Sequence, residues 1–209
     1  MAAKSVALIV AHPDDETLWA GGTILNHADW KWYIVTLCRG SDPDRAPKFH
    51  KTLKILGAEG NMGDMDDGPD QLPLTDIELQ RTILKLLPGK AYDLIITHNP
   101  SGEYTRHLRH EETGRAVIHL WNDKILESPE LWTFAYSDGG GAYPPQASKS
   151  AGILYRLPGS LWEKKYDIIT RIYGFDENSF EARAATREEA FWQFTEAADA
   201  INWLNKMKQ

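Results

Sequence analysis

The chain has 209 residues, of which 42% are hydrophobic and 25% are charged, a composition typical of globular proteins. Its net charge of −7 argues against a nucleic-acid partner, because phosphate contacts need a basic face; a neutral or amine-bearing small molecule suits this balance better. Cys38 is the only cysteine, which excludes an intrachain disulfide and favours a reducing compartment. No stretch approaches the roughly 18 apolar residues of a membrane helix. We therefore expect a cytoplasmic protein without a membrane span.

The first two thirds of the chain alternate between buried strands and helices. Continuous apolar runs predict the strands, and apolar residues at helical spacing predict the helices. We predict a strand at 5–11, a helix at 15–28, a strand at 32–38, a helix at 48–58, a loop or short strand at 61–73, a helix at 76–87 with Thr75 as N-cap, a strand at 93–98 and a helix at 111–121. Such alternation indicates βαβ units and a parallel sheet covered on both faces.

The C-terminal third continues with less regular elements. We predict a strand at 131–137, a loop at 139–149, a short strand at 152–157, a helix at 162–172 and a long helix at 181–206. In that long helix, Phe191, Phe194, Ala198 and Ile201 follow helical spacing and are expected to pack on the domain; the alternative is a subunit interface of a homo-oligomer. We therefore predict one domain over 1–209, an α/β three-layer Rossmann-like sandwich with a mostly parallel sheet and an active site at the carboxyl ends of its strands.

Polar side chains follow the first predicted strand without a spacer. His12 leaves the end of the strand and Asp15 opens the next helix, with Pro13 as a rigid step and Asp14 between them. The side chains of His12 and Asp15 can therefore converge on one point, and a helix N-terminus favours carboxylates. The alternative for an Asp-Asp pair in this position is an N-cap with a solvated neighbour.

A second polar cluster follows the strand at 93–98. His107 and His110 are three residues apart, so they share a face of a turn or helix start. Two histidines and one carboxylate with an open fourth position form the ligand set of a hydrolytic zinc site. The alternative is a pair of loop histidines, and His98 is either hydrogen-bonded behind the ligands or takes no part. Because both clusters fall at the carboxyl ends of parallel strands, we predict a metal site.

The sequence AHPDDE after a buried strand, followed by a helix that contains GGT, resembles the first signature of the LmbE/PIG-L family of zinc-dependent N-deacetylases. The second signature of that family is a His-x-x-His in a loop after a later strand, which is similar to His107-Leu108-Arg109-His110. The resemblance covers about residues 6–117. It implies a deacetylase that acts on an N-acetylated sugar such as an N-acetylglucosamine compound.

Carried over by position, the resemblance implies zinc, or another divalent ion such as Fe²⁺, held by His12, Asp15 and His110. It implies Asp14 as the general base and His107 as the group that helps to stabilise the oxyanion. The chemistry agrees with this division. Zinc lowers the pKa of water that it binds to about 7, a carboxylate that does not bind the metal must take the proton, and an imidazole can donate to an oxyanion.

The chain departs from the family pattern at Leu108 and Arg109, which replace the usual Pro-Asp. Arg109 is therefore expected either to bind an anionic group of the substrate or to remain a solvated arginine. Further candidates for substrate contact lie at the end of a predicted strand or in loops near the two clusters: Arg39, Asp67, Glu103 and Tyr104.

Two other functions compete with hydrolysis. A nucleotide-binding Rossmann module would need Gly-x-Gly-x-x-Gly after the first strand, where this chain has acids that would repel a pyrophosphate. A non-catalytic metal-binding protein would have no need of Asp14 and His107. We therefore predict a metal-dependent hydrolase that removes an N-acyl group from a small-molecule amino sugar or its conjugate.

Overall fold

A seven-stranded sheet forms the centre of the molecule in a computed structural model that describes residues 3–70 and 72–206. The strands are β1 Ser5–Val10, β2 Lys31–Cys38, β3 Glu59–Met65, β4 Leu94–Thr97, β5 Leu131–Phe134, β6 Tyr136–Ser137, β7 Gln146–Ala147, β8 Ile153–Arg156 and β9 Glu188–Phe194. The large sheet has the order β3-β2-β1-β4-β5-β9-β8, with β6 and β7 in a separate pair. Strands β1 to β5 run parallel, and β9 pairs antiparallel with both β5 and β8, which confirms the mostly parallel α/β sheet.

Helices cover both faces of this sheet. They are α1 Asp15–Asn26, α2 Arg45–Leu56, α3 Asp76–Leu86, α4 Leu108–Asn122, α5 Gly159–Asp167 with a π-helical turn at Ile168–Tyr173, α6 Phe180–Ala184 and α7 Ala197–Lys206. Alternate residues of β1 belong to two separate cores: Leu8 packs with α1 and α2, and Ile9 packs with α3 and α4. The first strand is continuously apolar because both of its faces are buried.

The order of the strands places a crevice beside β1. The chain proceeds from β1 outward to β2 and β3, and then returns to the other side of β1 with β4. At such a reversal the connections after the two central strands leave in opposite directions and open a crevice at the carboxyl edge of the sheet. The residues after Val10 and those after Thr97 therefore lie next to each other.

Local signals fix two helices near this crevice. The hydroxyl of Thr75 accepts from the Glu78 amide at 3.3 Å, and the Glu78 carboxylate accepts from the Thr75 amide at 3.0 Å, so the predicted N-cap is confirmed as a capping box. On α4, a Cβ atom added to Gly114 would lie 2.4 Å from the carbonyl oxygen of His98. Only glycine permits this approach, which holds α4 against the end of β4.

The predicted long helix at 181–206 is wrong. Its centre is β9, which pairs antiparallel with β5 and β8, and only its ends are helical, as α6 and α7. Phe191 lies in the core beneath α1 and Phe194 packs in the core on the other face of the sheet, as expected for residues three apart on a strand. A short apolar segment is compatible with the spacing of a helix and with that of a strand. This segment forms a strand because it pairs with the open edge of β5.

Smaller corrections concern element ends. The strand predicted at 131–137 is divided into β5 and β6, the helix at 48–58 begins at Arg45, and the helix at 111–121 begins at Leu108. In the segment at 61–73 the strand alternative is correct up to Met65, and Gln71 lies outside the described residues. Within the described ranges no helix is both long and apolar enough to cross a membrane.

Candidate active site

The turn between β1 and α1 is strained at Asp14. Its φ of 112° is in the left-handed region, which a non-glycine residue adopts at a cost of roughly 1–3 kcal/mol. The backbone N–H of Asp14 donates to the buried carboxylate of Glu16 at 3.0 Å, and that carboxylate also accepts from the Tyr173 hydroxyl at 2.8 Å. These contacts hold the turn in a conformation that directs consecutive side chains to the crevice.

Three predicted ligand atoms converge above β1 and β4. Nδ1 of His12 lies 3.2 Å from Oδ2 of Asp15 and 3.2 Å from Nε2 of His110, and Nε2 of His110 lies 3.3 Å from the same Asp15 oxygen. The other oxygen of Asp15 accepts from the Trp19 indole at 3.0 Å, which fixes the carboxylate plane. The structure therefore brings together all three residues that the sequence predicts as metal ligands.

The spacing of these atoms fits a metal ion. In a tetrahedral zinc site with bonds of about 2.0–2.1 Å, the ligand atoms are about 3.3 Å apart, which is the spacing found here. Two imidazole nitrogens and one carboxylate oxygen suit Zn²⁺ and also Fe²⁺. Although burial opposes it, the adjacent imidazoles of His110 and His98 hold the pKa of Asp15 well below its usual value, so this oxygen is negative.

His107 completes the cluster on the cavity side. One of its ring nitrogens lies within 4.8 Å of ring nitrogens of His12 and His110, and its ring stacks on His110 with 4.2 Å between centroids. Burial, and then the neighbouring imidazoles of His110 and His12, lower the pKa of His107 to about 3. The buried Nδ1 of His107 has no hydrogen-bond partner among the described residues. A neutral imidazole therefore faces the place where a substrate would react.

Asp14 points at the cavity beside these ligands and has one charged partner. Oδ2 of Asp14 accepts from the Arg45 guanidinium at 2.9 Å, and that guanidinium also lies 4.5 Å from the ring centroid of Phe175. Burial and then the charge of Asp15 raise the pKa of Asp14 well above its usual value, against the opposing charge of Arg45. A raised pKa brings the carboxyl group closer to neutral pH, where a general base works best.

Carboxylates also support the outer sides of the two histidines. Nε2 of His12 lies 3.1 Å from Oδ1 of Asp67, and the second oxygen of Asp67 accepts from Arg39 at 2.8 Å. Nδ1 of His110 lies 2.6 Å from Oε2 of Glu103. In metal sites such carboxylates fix the ring orientation of a histidine ligand and increase its basicity.

His98 lies behind His110 and is subject to two opposing influences. Burial lowers its pKa, but the carboxylates of Glu103 and Asp15 outweigh burial and raise that pKa to about 9. The backbone N–H of Ala11 nevertheless donates to Nε2 of His98 at 3.0 Å, which requires an unprotonated Nε2. A cation held by Asp15 would offset one of the two attractions that raise this pKa, and the hydrogen bond from Ala11 leaves the ring proton on Nδ1, so we treat His98 as neutral.

A cavity of about 330 Å³ opens onto this cluster. Its lining includes eight residues from the predicted set together with others that the sequence did not single out. The eight are His12, Asp14, Asp15, Arg39, Asp67, Tyr104, His107 and His110. Glu103 and Arg109 are not brought to this cavity; their side chains are buried behind it.

Arg109 is held inside the protein. Its guanidinium donates to the carbonyl oxygens of Asp66 at 2.6 Å and Leu72 at 2.9 Å, and to the buried carboxylate of Glu112 at 2.6 Å. Glu112 in turn accepts from the amide of Leu74 at 2.9 Å. The departure from the family pattern therefore provides a clamp on the loop that carries Asp67 past the cavity.

This clamp leads to a testable prediction. Arg109→Lys keeps the positive charge but cannot reach two carbonyls and a carboxylate at once, so we expect the free energy of unfolding to fall by roughly 1–3 kcal/mol. We also expect faster hydrogen exchange at the Leu74 amide. Urea unfolding and exchange measured by NMR test both effects, and an unchanged Leu74 exchange rate would show that Arg109 does not hold the loop.

Four residues that form this site were not predicted from the sequence. Glu16 supports the strained turn, Arg45 pairs with Asp14, and Phe180 and Glu181 line the cavity from the C-terminal third of the chain. Glu16 carried a signal, as the third acid of the first cluster. The other three carried none, because only the fold brings α2 and α6 to the carboxyl end of β1.

The fold and these side chains define a class of Rossmann-like α/β proteins with a histidine and aspartate cluster at the carboxyl edge of the sheet. Residues 7–121 match the family described as GlcNAc-PI de-N-acetylase (PIG-L), which is more than half of the chain, and the chain belongs to this family. An uncharacterized protein of Acanthamoeba polyphaga mimivirus is 23% identical over 145 residues, covering 62% of this chain and 60% of the viral protein. The match thus spans less than two thirds of that relative.

Solved structures share the fold at low sequence identity. N,N′-diacetylchitobiose deacetylase from Pyrococcus horikoshii is 18% identical with a TM-score of 0.69, over 92% of this chain and 84% of that chain. The 4-carboxy-2-hydroxymuconate hydratase of Pseudomonas putida KT2440 is 17% identical with a TM-score of 0.60, over 92% and 97%. A deacetylase in the biosynthesis pathway of teicoplanin is 15% identical with a TM-score of 0.58, over 86% and 89%. A hydratase and deacetylases share this fold, so the fold alone does not determine the reaction.

Proposed function

We propose that this chain is a metal-dependent hydrolase that removes an N-acyl group from a small-molecule amino sugar or its conjugate. The acyl group that we propose is acetyl. One observation carries the proposal: the ligand atoms of His12, Asp15 and His110 lie 3.2–3.3 Å apart, with Asp14 and His107 on the same cavity. Membership of the PIG-L family and the deacetylases among the structures with this fold support it.

The side chains divide the work of amide hydrolysis. A divalent cation held by His12, Asp15 and His110 would polarise the substrate carbonyl as a Lewis acid and lower the pKa of an attacking water. Asp14 takes the proton from that water and returns it to the departing amine. The neutral imidazole of His107 donates a hydrogen bond to the oxygen on which negative charge develops.

The lining of the cavity suits a sugar. Arg39 and Asp67 provide a hydrogen-bond donor and acceptors for hydroxyl groups, and Tyr104 and Phe180 provide aromatic surface for the ring. We propose Arg39, Asp67 and Tyr104 as substrate contacts. The free thiol of Cys38 is buried and agrees with the cytoplasm as the proposed compartment.

Hydration of a carbon–carbon double bond is a second candidate, because a hydratase has the same fold. The two reactions share a need for a positioned water and a base, and they differ in their products. Only amide hydrolysis releases a carboxylate and a free amine. Product analysis therefore separates the two activities directly.

The first test measures metal and product together. We expect about one zinc or iron per chain in wild type after gel filtration in metal-free buffer, and almost none in Asp15→Ala. This substitution removes the carboxylate oxygen that lies beside the ligand nitrogens of both His12 and His110. The matched control is Asp44→Ala, which removes an exposed acid that pairs only with Lys48 among the described residues. Acetate release from N-acetylglucosamine and N,N′-diacetylchitobiose follows.

The metal titration should begin below one equivalent, since a teicoplanin deacetylase has been crystallised in a zinc-inhibited form. Zinc, iron(II) and cobalt(II) are added separately, and acetate is measured at each ratio. A wild-type protein that holds no metal and takes up none of these ions would overturn the hydrolase proposal. Metal uptake with water addition to an unsaturated acid, and no acetate, would favour the hydratase.

A further inference from the structure

We propose that Glu103, with His98 behind it, is a positioning residue that fixes the tautomer of His110 and keeps its Nε2 lone pair turned toward Asp15 and His12. The inference rests on the proposed function in one respect only, which is that His110 serves as a metal ligand. It gives Glu103 a role inside the protein, in place of the substrate contact that its sequence position suggests.

Burial decides between these two roles. The side chain of Glu103 is 0% exposed, and its neighbours His98 and His110 are 0% and 1% exposed. A carboxylate with no accessible surface cannot contact a substrate. An ionised carboxylate in such a place needs several donors, and Glu103 has them.

A continuous chain of hydrogen bonds leads from the backbone to the metal-binding point. The amide of Ala11 donates to Nε2 of His98 at 3.0 Å, so the ring proton of His98 resides on Nδ1. This Nδ1–H donates to Oε2 of Glu103 at 2.9 Å. The same oxygen accepts from Nδ1–H of His110 at 2.6 Å. The amide of Ala11 sets the proton position of His98, and the carboxylate of Glu103, which only accepts, sets that of His110.

The result is a single tautomer of His110. With the proton on Nδ1, Nε2 has only a lone pair, and it lies 3.2 Å from Nδ1 of His12 and 3.3 Å from Oδ2 of Asp15. The opposite tautomer would direct a lone pair at the Glu103 carboxylate and an N–H into the ligand cluster. His98 also stacks on His110, with 3.9 Å between the ring centroids, and holds the plane of the ring.

An amide cannot make all the hydrogen bonds that the carboxylate of Glu103 makes. Oε1 of Glu103 accepts from the Asn99 amide at 2.9 Å, so both oxygens face donors. In Glu103→Gln the NH₂ group must face either the Asn99 amide or the two histidine N–H groups. If it faces the histidines, His110 has to accept through Nδ1, and its proton moves to Nε2, where the metal should bind.

Two measurements test the proposal. In metal-free wild type labelled with ¹⁵N-histidine, long-range ¹H–¹⁵N spectra should show His110 as the Nδ1–H tautomer. For Glu103→Gln we expect the Zn²⁺ affinity, measured by competition with a chromophoric chelator, to fall about 10–100-fold. The control is Glu189→Gln, an equally buried acid whose side-chain partners are Lys165 and the Gly22–Thr23 segment; its Zn²⁺ affinity should equal that of wild type.

An Nε2–H tautomer of His110 in wild type would overturn the proposal, and so would an unchanged Zn²⁺ affinity in a folded Glu103→Gln protein. The spectra need no variant, so they decide the matter even if Glu103→Gln fails to fold. A wild-type protein that takes up no metal would overturn the proposed function, and the tautomer measurement would still decide the role of Glu103.

Discussion

Replacing Asp14 by Asn is expected to lower kcat about 10²–10⁴-fold while leaving the bound metal in place. The range is that typical of removing a positioned general base. Asp14 lies beside the ligands, but its carboxylate pairs with Arg45, so an amide of the same shape leaves the three ligand atoms undisturbed. The fall should appear in kcat and not only in KM, because the proton is transferred in the chemical step.

This substitution should not destabilise the fold. Burial and the charge of Asp15 raise the pKa of Asp14 above its value in an unfolded chain, so the ionised carboxylate is less favourable in the folded protein. A carboxyl group with a raised folded pKa reduces stability as the pH rises from the unfolded pKa through the folded pKa, and the cost is complete once the pH exceeds the folded pKa. Removing the charge should therefore leave the melting temperature of Asp14→Asn equal to that of wild type or above it.

The measurements are acetate release, metal content and thermal unfolding on the same preparations. Asp29→Asn removes an exposed acid in the turn before β2, at the opposite edge of the sheet, and serves as the matched control. An Asp14→Asn protein that retains one metal and more than a tenth of the wild-type kcat would refute the base assignment. Loss of the metal in this variant would instead make Asp14 a ligand.

The sequence predicted most of this site because its key residues come directly after strands. A strand buried on both faces is readable as an apolar run, and His12, Asp14 and Asp15 follow the first run without a gap. Parallel strands end at the same edge of a sheet, so the pair His107 and His110 could be predicted to approach them. The apolar runs that predict the strands and the order of the strands in the sheet therefore place the same residues in one site.

Contacts between segments that are distant in sequence could not be predicted from the sequence. Arg45 reaches Asp14 only because α2 packs on the same face of the sheet as α1. Arg109 looked like a candidate for an anionic substrate group, but its guanidinium found carbonyl oxygens in a loop some 40 positions earlier in the chain. The strand β9 was read as a helix because the sheet edge that pairs with it is formed by a distant segment.

That strand also carries the largest expected effect on stability. Lys165 and Glu189 form an ion pair at 2.8 Å with both side chains 0% exposed, between α5 and β9. Glu189 additionally accepts from the amides of Gly22 and Thr23 on α1 at 2.8 and 2.7 Å. One carboxylate therefore joins three elements that are far apart in sequence, and it lies in the part of the chain beyond the family match at 7–121.

Removing one partner of this pair should be costly. Lys165→Met leaves the Glu189 carboxylate buried without its cation, and we expect the free energy of unfolding to fall by about 3–5 kcal/mol. The exposed pair between Lys48 and Asp44 gives the matched control, because Lys48→Met should cost less than about 1 kcal/mol. Urea unfolding at pH 7 measures both variants on the same scale.

The double variant Lys165→Met with Glu189→Gln separates charge from packing. If the uncompensated carboxylate causes the loss, neutralising it should restore part of the stability, because the amide still offers one oxygen to the amides of α1. Additive losses in the double variant would mean that the two side chains act independently. In that case the packing of α5 and α1 on β9 would rest on apolar contact, and the buried pair would contribute little to holding β9 against these two helices.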